Sequence, residues 1–94
     1  MNRGMEREEM KKEILNRLKT IKGHIAGIER MVEEDKCCED VLLQVTAIKA
    51  SVHKVGLMII EQHAKECLLH EAQGEGIDKK QLEKVLETII KFAK

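Results

Sequence analysis

One stretch of the chain decides its fold: residues 35–74 read DKCCEDVLLQVTAIKASVHKVGLMIIEQHAKECLLHEAQG. The stretch has no proline, and Gly56 is its one glycine before Gly74, so no strong helix breaker interrupts it. Its apolar residues recur at spacings of four and three, which is typical of helices that pack in a bundle. They are Val41, Val45, Ile48, Val52, Val55 and Ile59. We predict one helix of about 36 residues, with Asp35 as its N-cap.

Shorter helical patterns flank this stretch on both sides. Upstream, residues from about 6 to 34 show the same spacing, in Ile14, Leu18, Ile21, Ile25, Ile28 and Val32. Downstream, Asp78 and Gln81 have the spacing of a capping box that opens a third helix. We therefore predict a single all-α domain over residues 1–94, with residues 1–5 disordered. A chain this small buries a modest fraction of its surface, so the apolar stripes also predict association with further copies.

The composition excludes several classes of protein. Phe92 is the only aromatic residue, which excludes base-stacking surfaces of the RNA-recognition and single-strand-binding types. Three cysteines, an odd number, suit reduced thiols better than a disulfide framework. We see no signal peptide and no apolar run of about 20 residues, and so expect a soluble, cytoplasmic protein without membrane contact.

Two cysteines and one histidine have the spacing of metal ligands. His63 and Cys67 are four residues apart and share one helix face. Cys38 precedes His63 by 25 residues, which is about 38 Å along a continuous helix. One chain cannot bring the three side chains together, but two antiparallel chains can. Thiolates with one imidazole suit Cu(I) or zinc, and the lack of a fourth ligand argues against a closed structural zinc site.

The formal net charge of zero hides a basic first helix. Between Met10 and Arg30 there are six basic residues and two acidic ones. Such a run is consistent with phosphate contacts, and equally with a plain solvated face. By helical phase, Lys12 and Lys19 lie on one flank of the apolar stripe and Arg17 on the other.

Three segments resemble the copper-sensing operon repressor (CsoR) family. They are RLKTIKGHIAGIERMVEEDKCC at 17–38, QVTAIKA at 44–50 and EQHAKEC at 61–67. The resemblance is clear over about residues 11–69 and looser in the third helix. In this family the pattern Cys38, His63, Cys67 is typical of copper sensors. Nickel and cobalt sensors carry histidine in place of Cys67, formaldehyde sensors lack the second cysteine, and persulfide sensors lack the histidine.

The resemblance implies a role for each site residue. Cys38 of one subunit would bind Cu(I) together with His63 and Cys67 of another, and Glu83 on the third helix would hydrogen-bond around the ligating histidine. Cys37 is a departure, since the family often has tyrosine there, and it could serve as an additional thiol.

For DNA, the resemblance points to Arg17 and Lys54 as the basic residues that contact phosphate. We add Lys12 and Lys19, from the same basic helix, as further candidates.

The expected protein is a Cu(I)-responsive repressor that binds operator DNA in the metal-free form and releases it when Cu(I) binds. The family's assembly is an antiparallel four-helix-bundle dimer, with two dimers forming a tetramer. We expect no enzyme and no small-molecule substrate, because no third residue orients a Cys–His pair. The alternatives are a sulfane-sulfur (persulfide) responsive repressor using Cys38 and Cys67, and a copper buffer that does not bind DNA.

Overall fold

Three helices make up the described part of the chain. The computed structural model describes the backbone of residues 3–72, 74 and 78–94, and the side chains of residues 6–66, 74 and 78–94. The helices are α1 (Arg3–Glu33), α2 (Cys38–Ala72) and α3 (Lys79–Ala93), and the described residues contain no strand, so the all-α prediction is confirmed. Residues 3–5, which we predicted to be disordered, belong to α1, and Met1 and Asn2 lie outside the described residues.

Asp35 ends α1 rather than capping α2, so that part of our prediction is wrong. Asp35 adopts a left-handed conformation with φ of 53°. Its N–H donates to the carbonyl of Val32 at 3.1 Å, and the N–H of Lys36 donates to the carbonyl of Met31 at 2.9 Å. This pair of bonds is the Schellman motif, which needs a left-handed residue just after the helix. Aspartate tolerates that conformation better than most residues do, and this explains its presence here.

Helix α2 begins two residues later than an Asp35 cap would require. The N–H of Val41 donates to the carbonyl of Cys37 at 3.1 Å, which puts Cys37 at the N-cap position and Cys38 at the first helical residue. Glu39 and Asp40 lie in the first turn, where negative charge complements the helix dipole. From Cys38 the helix continues for 35 residues without a break, which confirms the predicted single long helix.

The chain divides into two compact units, Met1–Met58 and Ile59–Lys94. In the first unit, α1 packs antiparallel against the beginning of α2. The core of this hairpin is formed by Ile14, Ile21, Val55 and Met58, with Met10 and Ile48 packed against them. The contacts between these residues fix the register of α1 against α2. The same register determines which polar side chains of the two helices lie opposite each other.

Each predicted apolar stripe splits into two rows with a spacing of seven residues. The inner rows contain Ile14, Ile21 and Ile28 on α1, and Val41, Ile48 and Val55 on α2, all of them buried or partly buried. The outer rows contain Leu18, Ile25 and Val32 on α1, and Val45, Val52 and Ile59 on α2, and their side chains are between 43% and 60% exposed. Half of each stripe therefore lacks a cover within the described chain.

The second unit contains the rest of α2 and all of α3. Asp78 is the N-cap of α3, and its side chain accepts the N–H of Lys80 at 3.0 Å, which confirms the predicted start of this helix. Every residue of α3 is described, and none of them is buried. Leu86 and Ile90 are about half exposed. Helix α3 is thus packed in this protomer with no buried side chain of its own.

Helix α2 is more apolar than we expected. Its stretch Cys38–Glu66 is long and apolar enough to cross a membrane by length and composition, although core helices of soluble proteins meet the same criterion. The expectation of no apolar run of that length was wrong, because apolar side chains cover several faces of α2, including the exposed Leu42, Leu43 and Leu57. Little of the stretch is buried in the protomer, so α2 has a large apolar surface to be covered.

Candidate metal centre

Cys38 is presented at the start of α2 with its thiol exposed. Cys37, the residue before it, is also an exposed free cysteine. The Schellman motif and the N-cap of α2 fix the backbone on both sides of this pair. Both thiols can therefore be reached by a metal ion or by another protein chain without rearrangement of the loop.

His63 lies in the second unit, on the edge of a groove of about 420 Å³ between α2 and α3. Isoleucine and valine side chains make up half of its lining residues, and the polar lining side chains on α3 are Gln81, Lys84 and Thr88. His63 itself is exposed. Cys67 follows one turn later in α2, but its side chain lies outside the described part of the chain, so the His63–Cys67 pair stays a prediction from spacing.

The described chain does not gather a metal site by itself. Cys38 and His63 are 25 residues apart along one unbroken helix. Among the described side chains, no group of three or more His, Cys, Asp or Glu residues lies close enough together to hold a metal ion. The two predicted ligands whose side chains are described, the Cys38 thiol and the His63 imidazole, are exposed, and such soft and borderline donors fit Cu(I). A site that used both Cys38 and His63 would need more than one chain, because the two residues are about 38 Å apart along α2.

Glu83 faces away from His63 within the protomer. The residues of α3 that line the groove follow a helical repeat that places them on one face, and Glu83 lies about 200° around the helix from Gln81. Its side chain is exposed. A hydrogen bond between Glu83 and a ligating histidine therefore needs a second chain or a rotated α3, and the family-based role of Glu83 stays a prediction.

Two polar residues that the sequence did not single out as candidates lie near predicted site residues in the structure. Gln81 was assigned only to the capping box, yet it lines the groove with His63, and its spacing from Val85 and Thr88 could have indicated this. The Nε2 atom of His24, a residue that no sequence motif singled out, lies 2.6 Å from the amide oxygen of Gln44 and links α1 to α2. The His24–Gln44 contact marks one edge of the hairpin.

Arg17 and Lys54 lie on that same edge. Arg17 is seven residues before His24, so both face the same side of α1. The antiparallel register that joins His24 to Gln44 brings Arg17 level with Ser51, and Lys54 is one turn from Ser51 on α2. We call the surface formed by Arg17, His24, Gln44 and Lys54 the basic edge.

The cations we had predicted to bind DNA are all exposed, but not all share the basic edge. Arg17 forms a half-exposed ion pair with Glu13 at 3.5 Å, a contact that contributes little stability and is easily exchanged for a phosphate. Lys12 and Lys19 are seven residues apart and lie on the outer surface of α1, away from the inner row. The two pairs of cations therefore form separate patches on the hairpin.

Known proteins share both the sequence and the fold of this chain. The copper-sensing transcriptional repressor CsoR of Bacillus subtilis (strain 168) is 38% identical over 84 residues, covering 89% of this chain and 82% of the relative. The copper-sensing repressor CsoR with Cu(I) from Geobacillus thermodenitrificans NG80-2 superposes with a TM-score of 0.77 at 36% identity, over 93% of this chain and 88% of that one. The nickel-responsive transcriptional regulator InrS superposes with a TM-score of 0.72 at 33% identity, over 86% and 90%.

Other relatives are longer. The copper-sensing transcriptional repressor CsoR of Mycobacterium bovis (strain BCG / Pasteur 1173P2) is 40% identical over 57 residues, which cover 61% of this chain and 48% of the relative, so the match spans about half of that relative's length. The model of a family described as metal-sensitive transcriptional repressor matches residues 10–91, which is most of the chain. Together with the all-helical fold and the soft donors on α2, this match shows that the chain belongs to the family of metal-sensitive transcriptional repressors.

Proposed function

We propose that the protein is a cytoplasmic, Cu(I)-responsive transcriptional repressor. In the metal-free form it binds operator DNA, and it releases the DNA when Cu(I) binds. The observation that carries this proposal is the placement of Cys38 and His63 on one unbroken helix, with Cys67 one turn beyond His63. The fold alone does not identify the metal, because both a copper sensor and a nickel sensor superpose on it. The proposed ligands indicate the metal, because two thiols and one imidazole favour Cu(I).

The metal would be held between chains. Cys38 of one protomer and His63 with Cys67 of another would supply the three ligands, and Glu83 would reach the site from a neighbouring protomer. The outer rows support this arrangement, since two antiparallel hairpins that face each other would cover them as a four-helix bundle. Two such dimers would form the tetramer.

The basic edge would bind the phosphates of the DNA backbone. Arg17 and Lys54 lie within about one helical turn of each other across the hairpin, so they can contact neighbouring phosphates, while Lys12 and Lys19 offer a second patch. Metal binding near the ends of α2 would then be coupled to DNA binding along the hairpin, because α2 takes part in both. By linkage, Cu(I) must weaken DNA binding by the same factor by which DNA weakens Cu(I) binding.

An anaerobic titration tests the proposal. The metal-free protein should bind the DNA upstream of its own gene, and one Cu(I) per protomer should abolish that binding, as measured by fluorescence anisotropy of labelled DNA. Zinc and nickel at the same concentration are the controls and should leave the complex intact. DNA release by a sulfane-sulfur donor but not by Cu(I) would favour the persulfide sensor, which would use Cys38 and Cys67, with the exposed Cys37 as an additional thiol. Cu(I) binding without any DNA binding would favour a copper buffer.

Replacing the cations of the basic edge should weaken DNA binding and leave Cu(I) binding unchanged. Arg17→Ala and Lys54→Ala should each flatten the dependence of log affinity on log salt concentration by up to about one unit, because each removes one phosphate contact. DNA affinity measured over a range of salt concentrations checks this.

Two matched variants serve as controls for the basic edge. Lys49→Ala removes the same charge from α2 about 140° away from Lys54 and should leave the salt dependence as in wild type. Glu13→Gln removes the ion-pair partner of Arg17 and should not weaken DNA binding. If Lys49→Ala and Lys54→Ala have equal effects, the basic edge is not the contact surface.

A further inference from the structure

His24 on α1 is hydrogen-bonded across the hairpin. Its Nε2 atom lies 2.6 Å from the amide oxygen of Gln44 on α2, and both residues belong to the first compact unit. The imidazole is partly buried, whereas Arg17 and Lys54 on the same basic edge are exposed. The contact with Gln44 therefore fixes the position of the ring between the two helices.

The partner of Nε2 also decides which ring nitrogen carries the hydrogen. The oxygen of a glutamine amide accepts hydrogen bonds and cannot donate them, so Nε2 of His24 is the donor in this contact. In the neutral imidazole the other nitrogen, Nδ1, then has a lone pair and no hydrogen, and it cannot donate to a phosphate oxygen. Only the protonated ring, in which both nitrogens donate, can bind Gln44 and a phosphate together.

The position of His24 extends the row of cations on the basic edge. His24 follows Arg17 by seven residues, about 10 Å along α1, and Lys54 lies ten residues beyond Gln44, about 15 Å along α2. One strand of duplex DNA carries a phosphate for roughly every 3.4 Å of helix axis, so an edge of this length spans several phosphates. A strand that follows the edge from Lys54 past Arg17 reaches the imidazole.

The surroundings of the imidazole leave room for a ligand. Gly27 lies one turn after His24 on α1, and a Cβ added there would meet nothing within 4 Å. By helical phase, the charged groups that face this edge are Glu13 and Arg17 on α1, and Asp40 and Lys54 on α2. The Glu13 carboxylate is paired with Arg17 at 3.5 Å. Asp40, one turn before Gln44, is the carboxylate with which a phosphate would compete for the protonated ring.

We propose that His24 is a further DNA-binding residue of the basic edge: its imidazole takes up one proton from solvent when DNA binds, and Nδ1–H then donates to a backbone phosphate while Nε2–H stays on Gln44. The proposal rests on the proposed function, because it needs the basic edge to contact DNA. A phosphate next to Nδ1 stabilises the protonated ring, since an opposite charge favours the charged form. By linkage, proton binding must then strengthen DNA binding.

The pH dependence of DNA binding by the metal-free protein tests the proposal. From about pH 8 to about pH 6, the range in which imidazole gains its proton, wild-type affinity for the DNA upstream of its own gene should rise, by up to about 10-fold per pH unit for each proton taken up. His24→Gln retains an N–H for Gln44 but cannot take up a proton, so its affinity should depend less on pH. At the lower pH its salt dependence should also be flatter, by up to about one unit. Fluorescence anisotropy of labelled DNA gives both quantities.

Two further variants separate the charge of His24 from its structural contact. His24→Lys carries a charge throughout this pH range and should bind DNA at the higher pH at least as tightly as wild type does. His53→Gln is the matched control and should keep the wild-type pH dependence, because His53 lies about 180° around α2 from Gln44. Circular dichroism shows whether each variant keeps its helix content.

Spectroscopy of the ¹⁵N-labelled imidazole follows the proton directly. In the metal-free protein without DNA, the neutral ring of His24 should carry its hydrogen on Nε2, and in the DNA complex at the lower pH both nitrogens should carry one. A ring that stays neutral in that complex, or a His24→Gln protein with the pH and salt dependence of wild type, overturns the role of His24 and leaves the proposed function intact. Failure of the wild type to bind the DNA at any pH overturns both.

Discussion

Mixing two Cu(I)-binding-defective variants should restore tight Cu(I) binding. Cys38→Ala retains His63 and Cys67, whereas the double variant His63→Ala/Cys67→Ala retains Cys38. If each site takes Cys38 from one chain and the pair from another, neither variant alone has a complete site. A mixed dimer has one complete site and one empty of all three ligands, so it should bind about half the Cu(I) of a wild-type dimer.

The experiment needs proof that the subunits exchange. Different affinity tags on the two variants allow the mixed dimer to be purified after incubation, and its Cu(I) stoichiometry is then measured anaerobically by chelator competition. The two unmixed variants, treated in the same way, are the controls and should show no tight site. If purified mixed dimers also lack a tight Cu(I) site, Cys38 of one chain does not bind Cu(I) together with His63 and Cys67 of the other.

The predictable parts of the fold follow from local patterns. The absence of proline and the four-three spacing were enough to predict α2 as one long helix, and the structure confirms it over Cys38–Ala72. The N-cap of α3 at Asp78 was also predictable, because Asp78 and Gln81 have the spacing of a capping box. These features depend on residues a few positions apart.

The features that sequence analysis missed depend on distant residues or on backbone conformation. The Asp35 side chain could cap a helix N-terminus. Instead, Asp35 adopts the left-handed conformation that the Schellman motif at the C-terminus of α1 requires. The spacing of the apolar residues did not show which of them form the core between α1 and α2 and which stay exposed. The inner and outer rows of each helix both repeat every seven residues, so they cannot be told apart by spacing. Gln81 and Glu83 are both polar residues at the start of α3, and only the packing of α3 on α2 shows that Gln81 lies beside His63.

The residues of the candidate metal site were predicted from the sequence, and they stay a prediction because the described side chains do not bring them together. Cys38, His63 and Cys67 were predicted as ligands from residue type and spacing, and because α2 is unbroken, a site that uses all three would need two chains. The number of chains, and which surfaces meet, depend on the outer rows, whose exposure only the structure shows. A test of the assembly is therefore also a test of the metal site.

A carboxylate placed in the outer row should separate the protomers. Ile25 is 46% exposed in the protomer, so Ile25→Glu costs the hairpin little, but in the proposed dimer the same position is covered by the second hairpin. There the change removes apolar burial and buries an unpaired charge, at about 2 kcal/mol or more per site. Symmetry doubles the cost, so the dimer dissociation constant should rise by about a thousandfold or more, as measured by sedimentation equilibrium of the metal-free protein.

The matched control for Ile25→Glu is Asn16→Glu, which adds the same charge on the opposite, exposed face of α1 and should leave the dimer intact. The separated Ile25→Glu protomers should also lose tight Cu(I) binding, although Cys38, His63 and Cys67 are all unchanged, because no single chain brings them together. Raising the protein concentration until the variant dimerises should restore Cu(I) binding in step with the dimer fraction. A monomeric Ile25→Glu protein that still binds Cu(I) tightly would show that the site lies within one chain, and equal dissociation constants for the two variants would show that the outer row is not the dimer surface.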